Sequence, residues 1–172
     1  MRLHQTASAM VAAFVFAIAA HAQSSSYHVA HQFTLGGDGG WDYLSFDTVG
    51  HRLFIARENR VTVVDPANGH ILGEIMGLNR AHGVAFAYRT GHGFLTSGAD
   101  SSVVMFDLKT LKVLARTTAA PDCDAILYDP ASGRIFTFNG DSHSASVIDA
   151  STGKRITNIP LPGGPEFGAT MG

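Results

Sequence analysis

Three aspartates, Asp65, Asp107 and Asp149, recur at a constant interval of 42, and each occupies the same setting. A short run of β-forming residues precedes each one (61–64, 103–106 and 145–148), and a polar turn and a second apolar run follow it. This reads as strand, turn, strand. A fixed period in the 40s built from short β segments restricts the fold to a stacked β array, because one such unit cannot bury both faces of its sheet alone. Each repeat carries two further strands ahead of its aspartate. The first repeat reads as strands over 41–46, 52–56, 60–64 and 71–76, the second over 82–86, 93–96, 102–106 and 112–117, and the third over 124–128, 134–138, 144–148 and 154–159. Leu53, Phe94 and Ile135 recur at intervals of 41, so the register holds to within one position. Four short strands per unit make one blade of an all-β propeller of antiparallel four-stranded blades. Composition agrees: 19 glycines fall among Asp, Asn, Ser and Pro at short intervals, and no long helical period appears after Ala22.

The segment 1–22 reads as a secretion signal, with Arg2 as the positive start, an apolar run over 7–20 and Ala20-His21-Ala22 as the cleavage site. The run has about 14 apolar residues against the ~20 needed to span a bilayer, so cleavage is expected and no membrane span afterwards. The expected location is periplasmic or secreted. The rest of the chain divides into a polar lead-in at 23–27 and a propeller segment at 28–172. Within it, 28–40 reads as an outer strand and linker, 41–81, 82–122 and 123–164 as three blades, and 165–172 as the first strand of another blade. Three blades with a lone outer and a lone inner strand make an open arc, since rings close with 4 to 8 blades. The chain therefore reads as a truncated or fragmentary ring, its unpaired edges prone to association.

The strand-three motif, in which Asp65, Asp107 and Asp149 are followed three positions on by Asn68, Thr110 and Thr152, combines with strands such as Arg52-Leu53-Phe54-Ile55-Ala56 and Arg134-Ile135-Phe136-Thr137-Phe138. In this the chain resembles the YVTN, or YncE-like, repeat propellers. That resemblance covers residues 28–172 and implies an exported ring of seven blades. Two departures stand out, Pro66 after the first aspartate and Leu111 where the other repeats have Gly69 and Gly153; the second leaves its turn type open. The resemblance implies little about activity, because propellers host enzymes, binders and scaffolds alike.

The recurrent aspartates suit a structural role, since a carboxylate at the head of a turn bonds backbone N–H groups two positions on. The starts of the first strands are a better place for chemistry. Asp42, His82, Asp124 and Glu166 occupy equivalent positions at successive intervals of 40, 42 and 42, and first strands line the central channel. Their spacing puts three carboxylates and an imidazole on one arc at the channel mouth, a set that suits a divalent metal or a polar small molecule. A hydrated channel is the bland alternative. His51 and His92 are expected exposed in turns, and His28 with His31 on opposite strand faces is poor metal geometry. The loop around His143 is long enough to serve as a contact surface. Gly36-Gly37-Asp38-Gly39-Gly40 precedes a strand and so reads as a flexible crossing between blades, not as a phosphate cradle.

Charge narrows the function classes. Without Arg2, 11 Lys+Arg oppose 14 Asp+Glu, and no basic run exists, which argues against nucleic acid as a partner. Cys123 is the only cysteine and can form no internal disulfide; it reads as a small buried apolar residue. No nucleophile elbow, P-loop, dinucleotide fingerprint or C-x-x-C motif occurs. The sequence thus points to a non-catalytic binding scaffold for a protein or small polar ligand, with no cofactor expected. A metal- or quinone-dependent enzyme with its site in the channel is the alternative, for which a divalent metal would be one cofactor.

Overall fold

The computed structural model describes residues 27–171, so the expected signal segment at 1–22 and most of the lead-in lie outside the described residues. Residues 27–32 form part of one compact unit and carry no strand or helix. The second unit begins at Phe33 and holds three four-stranded antiparallel sheets. Blade 1 is β1 (Leu44–Asp47), β2 (Arg52–Arg57), β3 (Arg60–Val64) and β4 (Ile71–Met76). Blade 2 is β5 (Ala81–Ala87), β6 (His92–Ser97), β7 (Ser102–Asp107) and β8 (Val113–Thr118). Blade 3 is β9 (Cys123–Asp129), β10 (Arg134–Asn139), β11 (Ser144–Asp149) and β12 (Arg155–Pro160). Strands follow chain order in every sheet, and β1, β5 and β9 lie side by side. This is an open propeller arc.

The blades stack because their middle strands are apolar on both faces. In blade 2, Val84, Leu95, Val104 and Phe106 face blade 1 and join Phe54, Val61, Val63 and Ile75 in one core. The alternate residues Ala85, Phe94, Val103 and Met105 face blade 3 and join Cys123, Ile135 and Ile148 in a second. Period-two alternation between two buried faces explains why β7 reads as a continuous apolar run. β4, β8 and β12 are outermost and largely exposed.

Each β3–β4-type hairpin has a register shift at the same place, Val63/Val64, Met105/Phe106 and Val147/Ile148, just before the repeating aspartate. Asp65, Asp107 and Asp149 then close one common turn. Their N–H groups donate to His70, Lys112 and Lys154 carbonyls, and their carboxylates accept N–H groups two or three positions on. Hydrogen bonds from Ser151 and the Thr152 N–H hold the Asp149 carboxyl far below its ordinary range. The turn ends in the left-handed conformation at Gly69, Leu111 and Gly153 alike, with φ of +76°, +61° and +69°. Leu111 therefore adopts the glycine turn despite its side chain, which packs against the core between blades 1 and 2 and offsets the strain.

Three expectations change. The segments 28–35 and 165–171 form no strand, since a strand exists only as part of a ladder and no ladder among the described residues joins either segment to a sheet. Trp41 to Tyr43 precede β1, although Asp42 and Tyr43 each exchange a backbone hydrogen bond with Ala56. The glycine stretch is tied down: the Arg57 guanidinium donates to the Gly36, Gly37 and Asp38 carbonyls at 2.6, 3.0 and 3.1 Å, and Arg60 donates to Asp38 at 2.8 Å.

Cys123 is fully buried between blades 2 and 3, with its thiol directed at the Ser97 and Ser102 carbonyls. Burial pushes the thiol up to about 11. Native protein is therefore expected to resist alkylation by iodoacetamide at pH 8, with one thiol reacting after denaturation; rapid native labelling, read by mass spectrometry, would contradict this packing.

Candidate functional site at the inner strand starts

The inner strands begin with irregular pairing, and this aims the side chains. β5 pairs with β6 through a register shift between Ala81 and Val84, and β9 with β10 through one between Thr137 and Asn139. Such bulges rotate the residues they contain. They carry His82 and, on the neighbouring blade, Asp124. Asp42 reaches the same point from blade 1, anchored by its backbone bond to Ala56. The Thr96 hydroxyl accepts from the Gly83 N–H and donates to the Asp124 carbonyl, fastening β9 beside β5.

Ligand-type atoms of Asp42, His82 and Asp124 consequently lie within 4.8 Å of one another. His82 Nδ1 stands 2.5 Å from Asp42 Oδ2 and 3.4 Å from Asp124 Oδ1. A carboxylate only accepts, so Nδ1 donates to Asp42. The imidazole is 5% exposed, and its other nitrogen, Nε2, is buried with no hydrogen-bond partner. Nε2 rests on Gly98: a Cβ at that position would stand 2.6 Å from it. Any side chain there would expel the ring. Asp124 Oδ1 is likewise buried without a hydrogen-bond partner.

Electrostatics around the cluster are acidic. Burial raises the Asp124 carboxyl above its ordinary value, His82 opposes this, and the charges of Asp42, Asp122 and Glu166 add to it. The Tyr43 hydroxyl is raised by burial and then by Asp124, Asp42 and Glu166, so it lies in the field of the same three carboxylates. Arg80 pairs with Asp122 at 3.7 Å. A cleft of about 200 Å³ bordered by Trp41, Asp42, Glu58, Arg80 and His82 opens beside the cluster.

Of the four residues spaced on one arc, three converge and Glu166 stands outside them, exposed but within electrostatic reach. Tyr43 and Gly98 are parts of the site that spacing does not reveal, although Tyr43 adjoins Asp42 in the chain. His51 and His143 are exposed in turns, whereas His92, expected exposed, is half-buried and bonds the Ala150 carbonyl across to blade 3 at 3.1 Å.

No protein-family model matches the chain, and no curated protein matches it. Solved structures do. Hydrazine synthase of Kuenenia stuttgartiensis is similar with a TM-score of 0.70 at 16% identity, covering 82% of this chain and 42% of that one. Sqt1 of Saccharomyces cerevisiae is similar with a TM-score of 0.62 at 12% identity, covering 72% and 36%. The WD40 repeats of RRP9 are similar with a TM-score of 0.64 at 10% identity, covering 73% and 40%. At these identities the likeness is one of fold, and the fold is the β-propeller. The chain spans about two-fifths of the length of these structures.

Proposed function

We propose that this chain is part of an exported, YVTN-type propeller that works as a non-catalytic binding scaffold, taking a positively charged ligand or basic protein segment at the acidic mouth. The sealed Nε2 of His82 carries this reading. A histidine paired to an aspartate through Nδ1 acts as a general base through Nε2, and here that atom faces Gly98, with no route to a substrate. The carboxylates of Asp42, Asp124 and Glu166 then remain as recognition groups, and their charge selects a cation. The YVTN-like repeat motif, and the apolar run over 7–20 with the Ala20-His21-Ala22 cleavage site, support the family and the periplasmic or secreted location.

Calorimetric titration of the full chain with argininamide at low salt tests this. Saturable binding is expected, falling at least tenfold in Asp42→Asn combined with Asp124→Asn and weakening as salt is added. Absent binding, or binding indifferent to the substitutions, would overturn it. A metal-dependent enzyme is the second reading, favoured by the convergence of Asp42, His82 and Asp124.

A further inference from the structure

The geometry points to a binding site for one first-row divalent metal ion, of the zinc class, formed by Asp42, His82 and Asp124. This deepens the preceding reading by naming an ion that the same acidic mouth would hold. Three observations carry it. The donors come from three blades and already converge. Ligands about 2.0–2.2 Å from a metal stand roughly 3–3.5 Å apart, and His82 Nδ1 and Asp124 Oδ1 are at 3.4 Å. The Nδ1 to Asp42 contact at 2.5 Å is a hydrogen bond, and it needs to open by less than about 1 Å to admit the ion.

The second observation concerns unmet bonding capacity. Asp124 Oδ1 is buried with no hydrogen-bond partner, although a carboxylate oxygen out of water ordinarily has one. A cation would satisfy it. His82 is the third: it is more than nine-tenths buried, at 5% exposure, and Gly98 behind it leaves Nδ1 as the nitrogen turned to the carboxylates. Ion binding displaces the Nδ1 proton and moves the imidazole N–H to Nε2, which is unpartnered now. The Cys123 carbonyl borders the same spot, 3.3 Å from the position a Gly98 Cβ would take. One imidazole and two carboxylates suit zinc or manganese better than calcium, which prefers oxygen alone and more of it. Glu166 stays outside this ligand set, and water completes the shell.

An ion held by three blades ties them together, so binding must appear as stability as well as stoichiometry. The test uses the full chain, stripped with chelator, and Zn²⁺ alone as probe. One ion per chain and a rise in the unfolding midpoint are expected, with Mg²⁺ giving neither. His82→Ala and Asp124→Asn should each weaken Zn²⁺ at least tenfold, with folding checked by circular dichroism. Asp42→Asn, at a more exposed position, provides a variant that folds if the others do not. No saturable Zn²⁺ binding, or binding that these substitutions leave unchanged, overturns the inference. It falls alone if argininamide still saturates metal-free protein, and together with the scaffold reading if argininamide fails too.

Discussion

Phe106→Ala is expected to destabilise the fold by about 3–5 kcal/mol, since Phe106 stands with Phe54 and Phe94 as the largest fully buried side chains of the core. The side chain is fully buried between blades 1 and 2, with its ring centroid 5.9 Å from that of Phe54. Its position also depends on an absence across the ladder. Gly93 is the cross-strand partner of Phe106, and a Cβ there would stand 2.1 Å from the ring Cζ. The ring thus occupies the space that a side chain on β6 would fill, covering the glycine and shielding its backbone. Gly93→Ala should therefore cost roughly 1–3 kcal/mol by overpacking, although alanine normally suits a strand better than glycine. In the double variant the two costs should be less than additive, since the truncated ring makes room for the new methyl. Denaturant unfolding of the four proteins measures this, and strict additivity would refute the packing described.

The second large effect is expected at Asp47, whose carboxylate is 1% exposed. It accepts N–H groups of Val49 and Gly50 at 3.1 and 2.8 Å and the Arg52 guanidinium at 2.6 Å. Arg52 also donates to the Leu108 carbonyl at 2.9 Å, so this pair joins the first turn of blade 1 to blade 2. Asp47→Ala leaves a mostly buried guanidinium with one partner fewer, and should cost roughly 2–3 kcal/mol. Burial alone would raise this carboxyl, but the Gly50 N–H and Arg52 outweigh it and hold it below its ordinary value. A depressed native value means that the ionised form is favoured by folding. Its contribution is complete above the unfolded value of about 3.9 and is lost as pH falls through the native value. The stability gap between wild type and Asp47→Asn should accordingly be constant near neutrality and narrow below about pH 4. A gap that widens with acid would contradict the ion pair.

The backbone plan is the part most legible in the sequence. Period-two apolar runs, turn residues and a recurrence at intervals of 42 are local signals, repeated three times, and they locate the twelve strands of the described residues to within a few positions. The turn role of Asp65, Asp107 and Asp149 follows for the same reason, because an aspartate bonding its own turn needs no distant partner. The lone strands expected at 28–35 and 165–171 fail on non-local grounds: β propensity cannot supply a neighbouring strand.

At the candidate site the division is sharper. Equal spacing was enough to bring Asp42, His82 and Asp124 to one arc, because a repeat places equivalent residues equivalently. Which of them touch was decided by bulges at the starts of β5 and β9 and by the way blades pack, and these left Glu166 outside. Nor does any spacing reveal which imidazole nitrogen meets the carboxylates. That choice belongs to Gly98, well downstream of His82 in the chain, whose missing side chain makes room for Nε2 and so turns Nδ1 toward Asp42 and Asp124. By itself, then, the sequence determined the blades and the equivalent positions near the starts of their inner strands. Tertiary structure alone decided the chemistry available there, since hydrogen bonding and ion binding depend on distances of a few tenths of an ångström that side-chain packing sets.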